Sequence, residues 1–357
     1  MLEIDKAKAE NIKDIHWQWF SHRAQEKTSW NSRYTYEQYI EDFLDISSDD
    51  LKDLIIGEKN LWTNLPPITS RRKPRMTQNK SKITYDEEIS KWEMENLLYT
   101  RLTEAFGYDD FCKEDIKEPW YQNFKKQSNR DWNAYELFKE LNINVCPYCG
   151  RQYIYTLYGS EKYRTDIDHF FPQSKYPYLT CSLFNFIPSC KICNTLKRDS
   201  YEEFDEIVYP YDESFGKNGV FRASYHGQDV ENVDYCTNIK EVQIHLKISG
   251  DLSNKITKSN SIFHLEQFYN EHKIEIQDLF ERYKWYTKPK MCDILKFILT
   301  PEQTEMLPEE EINNLLEEYA TNLKDCILGI PLKNESEYPL KKFKLDLIEQ
   351  LDDARNS

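Results

Sequence analysis

Apolar side chains recur at helical spacing through residues 1–140. Leu51, Leu54 and Ile55 fall on one helical face, with Ser48 placed to cap its start. Thr84 and Glu87 form a T-x-x-E capping box ahead of Ile89, Trp92, Leu98, Leu102 and Ala105, a helix that Gly107 is placed to close. Asp131 opens a further helix through Trp132, Tyr135, Phe138 and Leu141. The period then changes. The segment from Tyr153 to Tyr158 has strand-like composition, Gly159 and Ser160 give a turn, and Thr165 to His169 returns as a second strand. Phe184 to Ile187 is short and apolar, and a helix can start at Cys193. Beyond residue 200, Val242, Ile244, Leu246 and Ile248 alternate with polar residues and predict a strand. Leu265, Phe268, Ile276, Leu279 and Phe280 predict one helix from Ile262 to Tyr286, and more helix follows through the acidic stretch Glu309–Glu311. There is no internal repeat. The pattern divides the chain into a helical segment 1–140, a mixed segment 141–215, and a mainly helical segment 216–357 with a short β element.

Composition narrows the class. No apolar run approaches the ~20 residues of a bilayer span, so a membrane protein is not expected. The N-terminal residues Met1 to Asp5 have no basic region followed by an apolar stretch, so a cytoplasmic protein is expected. Nine cysteines make an odd count, which favours a metal or catalytic role over a disulfide scaffold. The formal net charge of -15 points away from nucleic acid, whose binders are usually basic.

The cysteines alter that last inference. Cys146/Cys149 and Cys190/Cys193 form two C-x-x-C pairs separated by the 40 residues from Gly150 to Ser189. Two such knuckles can supply four thiolates to a closed, structural Zn2+ site. The competing reading is redox chemistry, because Cys146-Pro-Tyr-Cys149 matches the active-site tetrapeptide of glutaredoxins. That site follows an apolar strand and opens a helix. Here a helix-like segment precedes it, a β-rich run follows, and the second pair has no redox role.

Between and after the pairs stand Asp168-His169 followed by Pro172, then Asn185, then Asn194 directly after Cys193, then Lys197. In this order and spacing the segment resembles the HNH (ββα-metal) endonuclease family, over about 55 residues of 357. The resemblance implies an α+β, mainly helical protein. At its centre would lie a zinc-stabilised ββα-metal nuclease module, flanked by helical N- and C-terminal extensions. It further implies that His169 is the general base and that Asp168 and Asn194 ligate a catalytic divalent cation. Asn185 would orient His169 or brace the loop. Asn replaces the third-position His of other family members, so an oxygen-loving Mg2+ or Mn2+ is favoured there. Zinc on the cysteines would be structural only.

Charge by segment fits this better than the total does. Residues 146–200 hold seven basic and four acidic side chains, a net +3 that leaves -18 elsewhere. Lys197 and Arg198 are placed for phosphate contact, or are simply solvated. Arg71, Arg72, Lys73 and Arg75 form a basic stretch that is either a DNA-contacting loop or a solvated linker. Stand-alone proteins of this layout resemble nuclease effectors of bacterial anti-phage defence, some of which pair with an ATPase, as in the Septu type. DNA is then the expected substrate and an ATPase or other defence component the expected partner. The alternative is a zinc-knuckle module that holds nucleic acid without cutting it.

Overall fold

The computed structural model describes residues 1–62, 99–158, 163–198, 206–286, 327–330 and 337–356, with a few isolated positions besides. The described chain is α+β, about half helical, with small sheets. Among the described residues, no helix is long and apolar enough to cross a membrane. The chain forms two compact units. One comprises Glu3–Tyr148 and Ile154–Glu213; the other comprises Met1–Leu2, Cys149–Tyr153 and Ser214–Ser357. The capping box at Thr84 and Glu87, the turn at Gly159 and Ser160, and Glu309 and Glu311 lie outside the described residues.

In the first unit the helix Lys13–Ala24 is central and packs against Pro119–Ser128, Ser48–Ile56 and Tyr36–Leu44. Trp19, Phe20, Phe111, Phe124 and Trp132 fill the space between these elements. Two caps differ from the sequence reading. Ser47, not Ser48, caps Ser48–Ile56, in a reciprocal capping box with Asp50. Asn133, not Asp131, caps Ala134–Leu141, accepting from the amides of Tyr135 and Glu136. Gly107 does end the helical run 99–106, at φ +72. A side chain there would strike the Arg23 guanidinium, whose Nε and Cδ lie 2.6 and 2.8 Å from an ideal Cβ.

His16 links this helical layer to the segment that carries the candidate site. Its Nε2 lies 2.7 Å from the Cys181 carbonyl, and its Nδ1 accepts from Trp132 Nε1 at 3.0 Å. A carbonyl only accepts, so Nε2 bears the hydrogen and the ring is neutral. Burial pushes its pKa down to about 4, partly offset by the Cys181 carbonyl. Ser182 Oγ adds a second tie, donating to the Leu54 carbonyl at 2.6 Å.

The second unit is built on a three-stranded antiparallel sheet with Gly219–Tyr225 in the middle, between Gln228–Asp229 and Val242–Ile248. The alternation at Val242, Ile244, Leu246 and Ile248 is therefore a strand, as the pattern predicts. The single helix expected from Ile262 to Tyr286 is instead three: Ser253–Phe263, Leu265–Asn270 and Lys273–Trp285. His264, at φ 49, makes the first break. The breaks let the middle helix turn onto the sheet edge. Glu266 accepts from the Leu246 amide, and Asn270 bonds both the amide and the carbonyl of Ile244. On the middle strand, Asp346 accepts from the Phe221 amide, and Gln350 bonds the amide and carbonyl of Ala223. Both come from the helix Lys341–Asn356.

Candidate functional site

The strand Asp166–His169 pairs antiparallel with Phe186–Ser189, setting Asp168 opposite Ile187 and His169 opposite Phe186. The helix Lys191–Lys197 follows at once and packs on the first of these strands. This corrects the expected hairpin with Tyr153–Tyr158. Among the described residues those arms meet in one bridge, Leu157 opposite Tyr163. Burial selects the partner: Phe186 and Ile187 are fully buried, whereas Tyr155, Leu157 and Tyr158 stay in solvent.

The loop between the strands is held by Asn185, itself fully buried. Its Oδ1 accepts from the Phe171 amide at 2.7 Å. Its Nδ2 donates to the carbonyls of Phe171 at 3.2 Å and Leu179 at 2.9 Å. The next residue after Leu179 is Thr180, and its carbonyl meets His169 Nε2 at 2.9 Å. By the same reasoning as for His16, Nε2 carries the hydrogen and Nδ1 keeps a lone pair. The Tyr108 ring meets the imidazole edge-on at 4.6 Å. Burial pushes the His169 pKa down to about 4, the Thr180 carbonyl opposes this, and the Lys197 charge adds to it. A neutral ring with one open nitrogen can take a proton from water.

Asp168 is buried and engaged on both oxygens. Tyr148 donates its hydroxyl to Oδ2 at 2.6 Å, and Lys197 Nζ lies 2.9 Å from Oδ2 and 3.2 Å from Oδ1. Burial raises its pKa, against the Lys197 charge and the Tyr148 hydrogen bond; Asp166 nearby adds to the rise. Lys197 also donates to the His169 carbonyl at 2.7 Å and is wholly buried. Its burial does not suit the phosphate contact read from the sequence. The ammonium is inside because a buried carboxylate demands a partner. Arg198 is exposed and keeps its place at the rim.

Asp168, His169, Asn194, Arg198, Pro172 and Gln173 line one open cavity of about 310 Å3. Asn194 donates Nδ2 to Asp166 Oδ2 at 2.9 Å, and Lys191 reaches the same carboxylate oxygen at 3.3 Å. With its amide nitrogen so fixed, Asn194 has its carbonyl oxygen left as a ligand. Asp168 and Asn194 thus bring a carboxylate and an amide carbonyl to one cavity, hard oxygen donors of the kind that suits Mg2+ or Mn2+.

The four pair cysteines are buried, and their sulfur atoms all lie within 4.8 Å of one another. Four thiolates about 2.3 Å from a tetrahedral Zn2+ would stand about 3.8 Å apart, so the cluster fits that ion. Cys190 also caps the helix Lys191–Lys197, its sulfur accepting from the Cys193 amide.

Tyr148, Tyr108 and Thr180 were not legible as site residues. Tyr148 is simply the residue between two cysteines, and Thr180 acts through its backbone. Arg71, Arg72, Lys73 and Arg75 lie outside the described residues.

No protein-family model matches the chain. No solved structure matches it either. Among curated proteins, it is 28% identical to Protein ea31 of Escherichia phage lambda over 100 residues, 26% of this chain and 30% of that protein. It is 30% identical over 92 residues to the Septu protein PtuB of Bacillus thuringiensis, 25% of this chain and 34% of PtuB. The match thus spans about a third of each relative, and it is a distant similarity to a Septu protein, confined to a quarter of the chain.

Proposed function

We propose that the chain is a metal-dependent HNH endonuclease that hydrolyses phosphodiester bonds in DNA. The observation that carries this reading is His169. Its Nε2 is committed to the Thr180 carbonyl, its Nδ1 lone pair is left for a proton, and it shares a cavity with Asp168 and Asn194. The neutral imidazole accepts a proton from the attacking water. Lys197 and Tyr148 hold the Asp168 carboxylate in one orientation, and Asp166 does the same for the Asn194 amide. Arg198 offers its charge to a phosphate at the rim. A Mg2+ or Mn2+ ion on the oxygens of Asp168 and Asn194 would stabilise charge on the phosphate and the leaving oxygen. Zinc held by Cys146, Cys149, Cys190 and Cys193 would keep the short strands and helix in place, a module too small to hold itself.

Similarity to a Septu protein supports a role in anti-phage defence, together with a protein partner such as an ATPase. The test of the chemistry is plasmid cleavage with Mg2+ or Mn2+. The wild-type chain is expected to cut, and His169→Ala to lose cutting with its zinc content unchanged. Cutting by His169→Ala at the wild-type rate would remove the base. A second reading has one observation in its favour: the Lys197 ammonium already neutralises Asp168 without a metal. On that reading the module binds nucleic acid and does not cut, and wild-type protein leaves the plasmid intact with either metal.

A further inference from the structure

We propose that Tyr155, Leu157 and Tyr163, with Arg164 beside them, form a stacking platform for the unpaired bases of single-stranded nucleic acid. The inference rests on the nuclease reading above and names its substrate class. These side chains lie in solvent although they are large and apolar: Tyr155 is 51%, Leu157 58% and Tyr163 63% exposed. Large side chains gathered in solvent on one short segment and its bridge partner mark an interaction site. Leu157 and Tyr163 are directly opposed, exchanging backbone hydrogen bonds of 2.7 and 3.2 Å, so their side chains are neighbours across the bridge. Tyr155 precedes Leu157 by two residues.

The platform runs into the candidate site along the chain and through space. Two residues, Arg164 and Thr165, separate Tyr163 from the start of the strand that carries Asp168 and His169. At ~3.3 Å per residue, Tyr163 and His169 are at most about 20 Å apart, the span of about six stacked nucleotides. Arg164 acts on the Tyr108 hydroxyl through its charge, and the Tyr108 ring packs on His169.

Single strands are favoured over duplex by two observations. A duplex hides its base faces, so tyrosine rings gain nothing from it, whereas every unpaired base has a face to stack. The segment 146–200 that holds the platform is only +3 within a chain of -15, too little for binding that depends on phosphate attraction alone. Stacking does not require a basic protein. Tyr158 is set apart from the platform. Its hydroxyl is donated to the Tyr135 carbonyl and feels the Glu136 charge, so the anionic strand passes over Tyr163 and Arg164 instead.

The experiment uses the full chain with His169→Ala, so that binding is read without cutting. Fluorescence anisotropy compares a labelled oligothymidylate with a duplex of equal length. The single strand is expected to bind more tightly. Tyr163→Leu and Tyr155→Leu are each expected to weaken it about tenfold, while Tyr163→Phe retains it, because stacking needs the ring and not the hydroxyl. Tyr158→Leu is expected to change it by less than about twofold. Zinc content of each variant checks the fold. Unchanged affinity in the leucine variants, or a preference for duplex, overturns the platform. So does loss of a co-purifying protein with oligonucleotide affinity intact, which makes the patch a protein interface. A wild-type chain that binds through these tyrosines yet cuts neither plasmid nor single-stranded DNA with Mg2+ or Mn2+ removes the nuclease and leaves the platform. A chain that cuts while its leucine variants bind normally removes the platform alone.

Discussion

Replacing Lys197 by Met takes the cation from a carboxylate that has little access to water. The pair is 2.9 Å apart, with side-chain exposures of 0% for Lys197 and 5% for Asp168. Removing one partner of such a pair costs about 3–5 kcal/mol, because the other charge stays buried without compensation. The His169 carbonyl loses its 2.7 Å donor as well. Urea unfolding followed by tryptophan fluorescence reads the loss, since seven of the eight tryptophans fall within residues 3–148 of the affected unit. A double-mutant cycle isolates the pair. Lys197→Met and Asp168→Asn are each expected to destabilise, and the double variant to be more stable than the sum of the two by a few kcal/mol. A loss below about 1 kcal/mol for Lys197→Met would place the pair with exposed salt bridges and refute the argument. So would simple additivity in the cycle. Zinc content is expected to stay at the wild-type level, which separates this effect from loss of the metal.

Three further outcomes are expected. His16 has its pKa lowered from its ordinary value of 6.5 to about 4 in the folded chain, so folding favours its neutral form. Its contribution is complete above pH 6.5 and is lost as pH falls towards 4, by at most roughly 3 kcal/mol; chemical denaturation at several pH values should show this slope in wild type and a flatter one in His16→Gln. Cys190→Ser is expected to lose zinc, read by a chromophoric chelator, and with it the fold of the Lys191–Lys197 region, whereas Cys236→Ser, outside the cluster, keeps the metal. Asn185→Ala removes three hydrogen bonds within the buried loop and is expected to destabilise by about 2–4 kcal/mol. A melting temperature equal to wild type would show that the loop holds itself.

The features legible in the sequence are those set by short spacing. Two C-x-x-C pairs announce a four-sulfur cluster because each pair is local and only the meeting of the two is tertiary. The alternation from Val242 to Ile248 reads as a strand because one face of that strand is buried from Val242 through Leu246. What depends on distant partners was not legible. The strand at Asp166–His169 chose Phe186–Ser189 over the nearer aromatic segment, and nothing in local composition ranks the two. Lys197 reads as a phosphate contact or a solvated base until Asp168, 29 residues away, draws it inside. The caps were displaced by one or two residues because Ser47 and Ser48, like Asp131 and Asn133, are both competent types. The break at His264 follows from the sheet edge that Glu266 and Asn270 must reach, a demand invisible in the helix's own periodicity.

Those edge contacts bear on solubility and assembly. Exposed amides on a strand are a template for another chain. Here Glu266 and Asn270 on one strand, and Asp346 and Gln350 on the middle one, occupy amides that a foreign strand would otherwise claim. The helix Lys341–Asn356 thus acts as a removable stopper on the middle strand as well as a packing element. Until it docks, a nascent or truncated chain presents Phe221 and Ala223 as an open zipper. Loss of that helix should therefore show first as concentration-dependent β-aggregation, before any change at the cavity around His169.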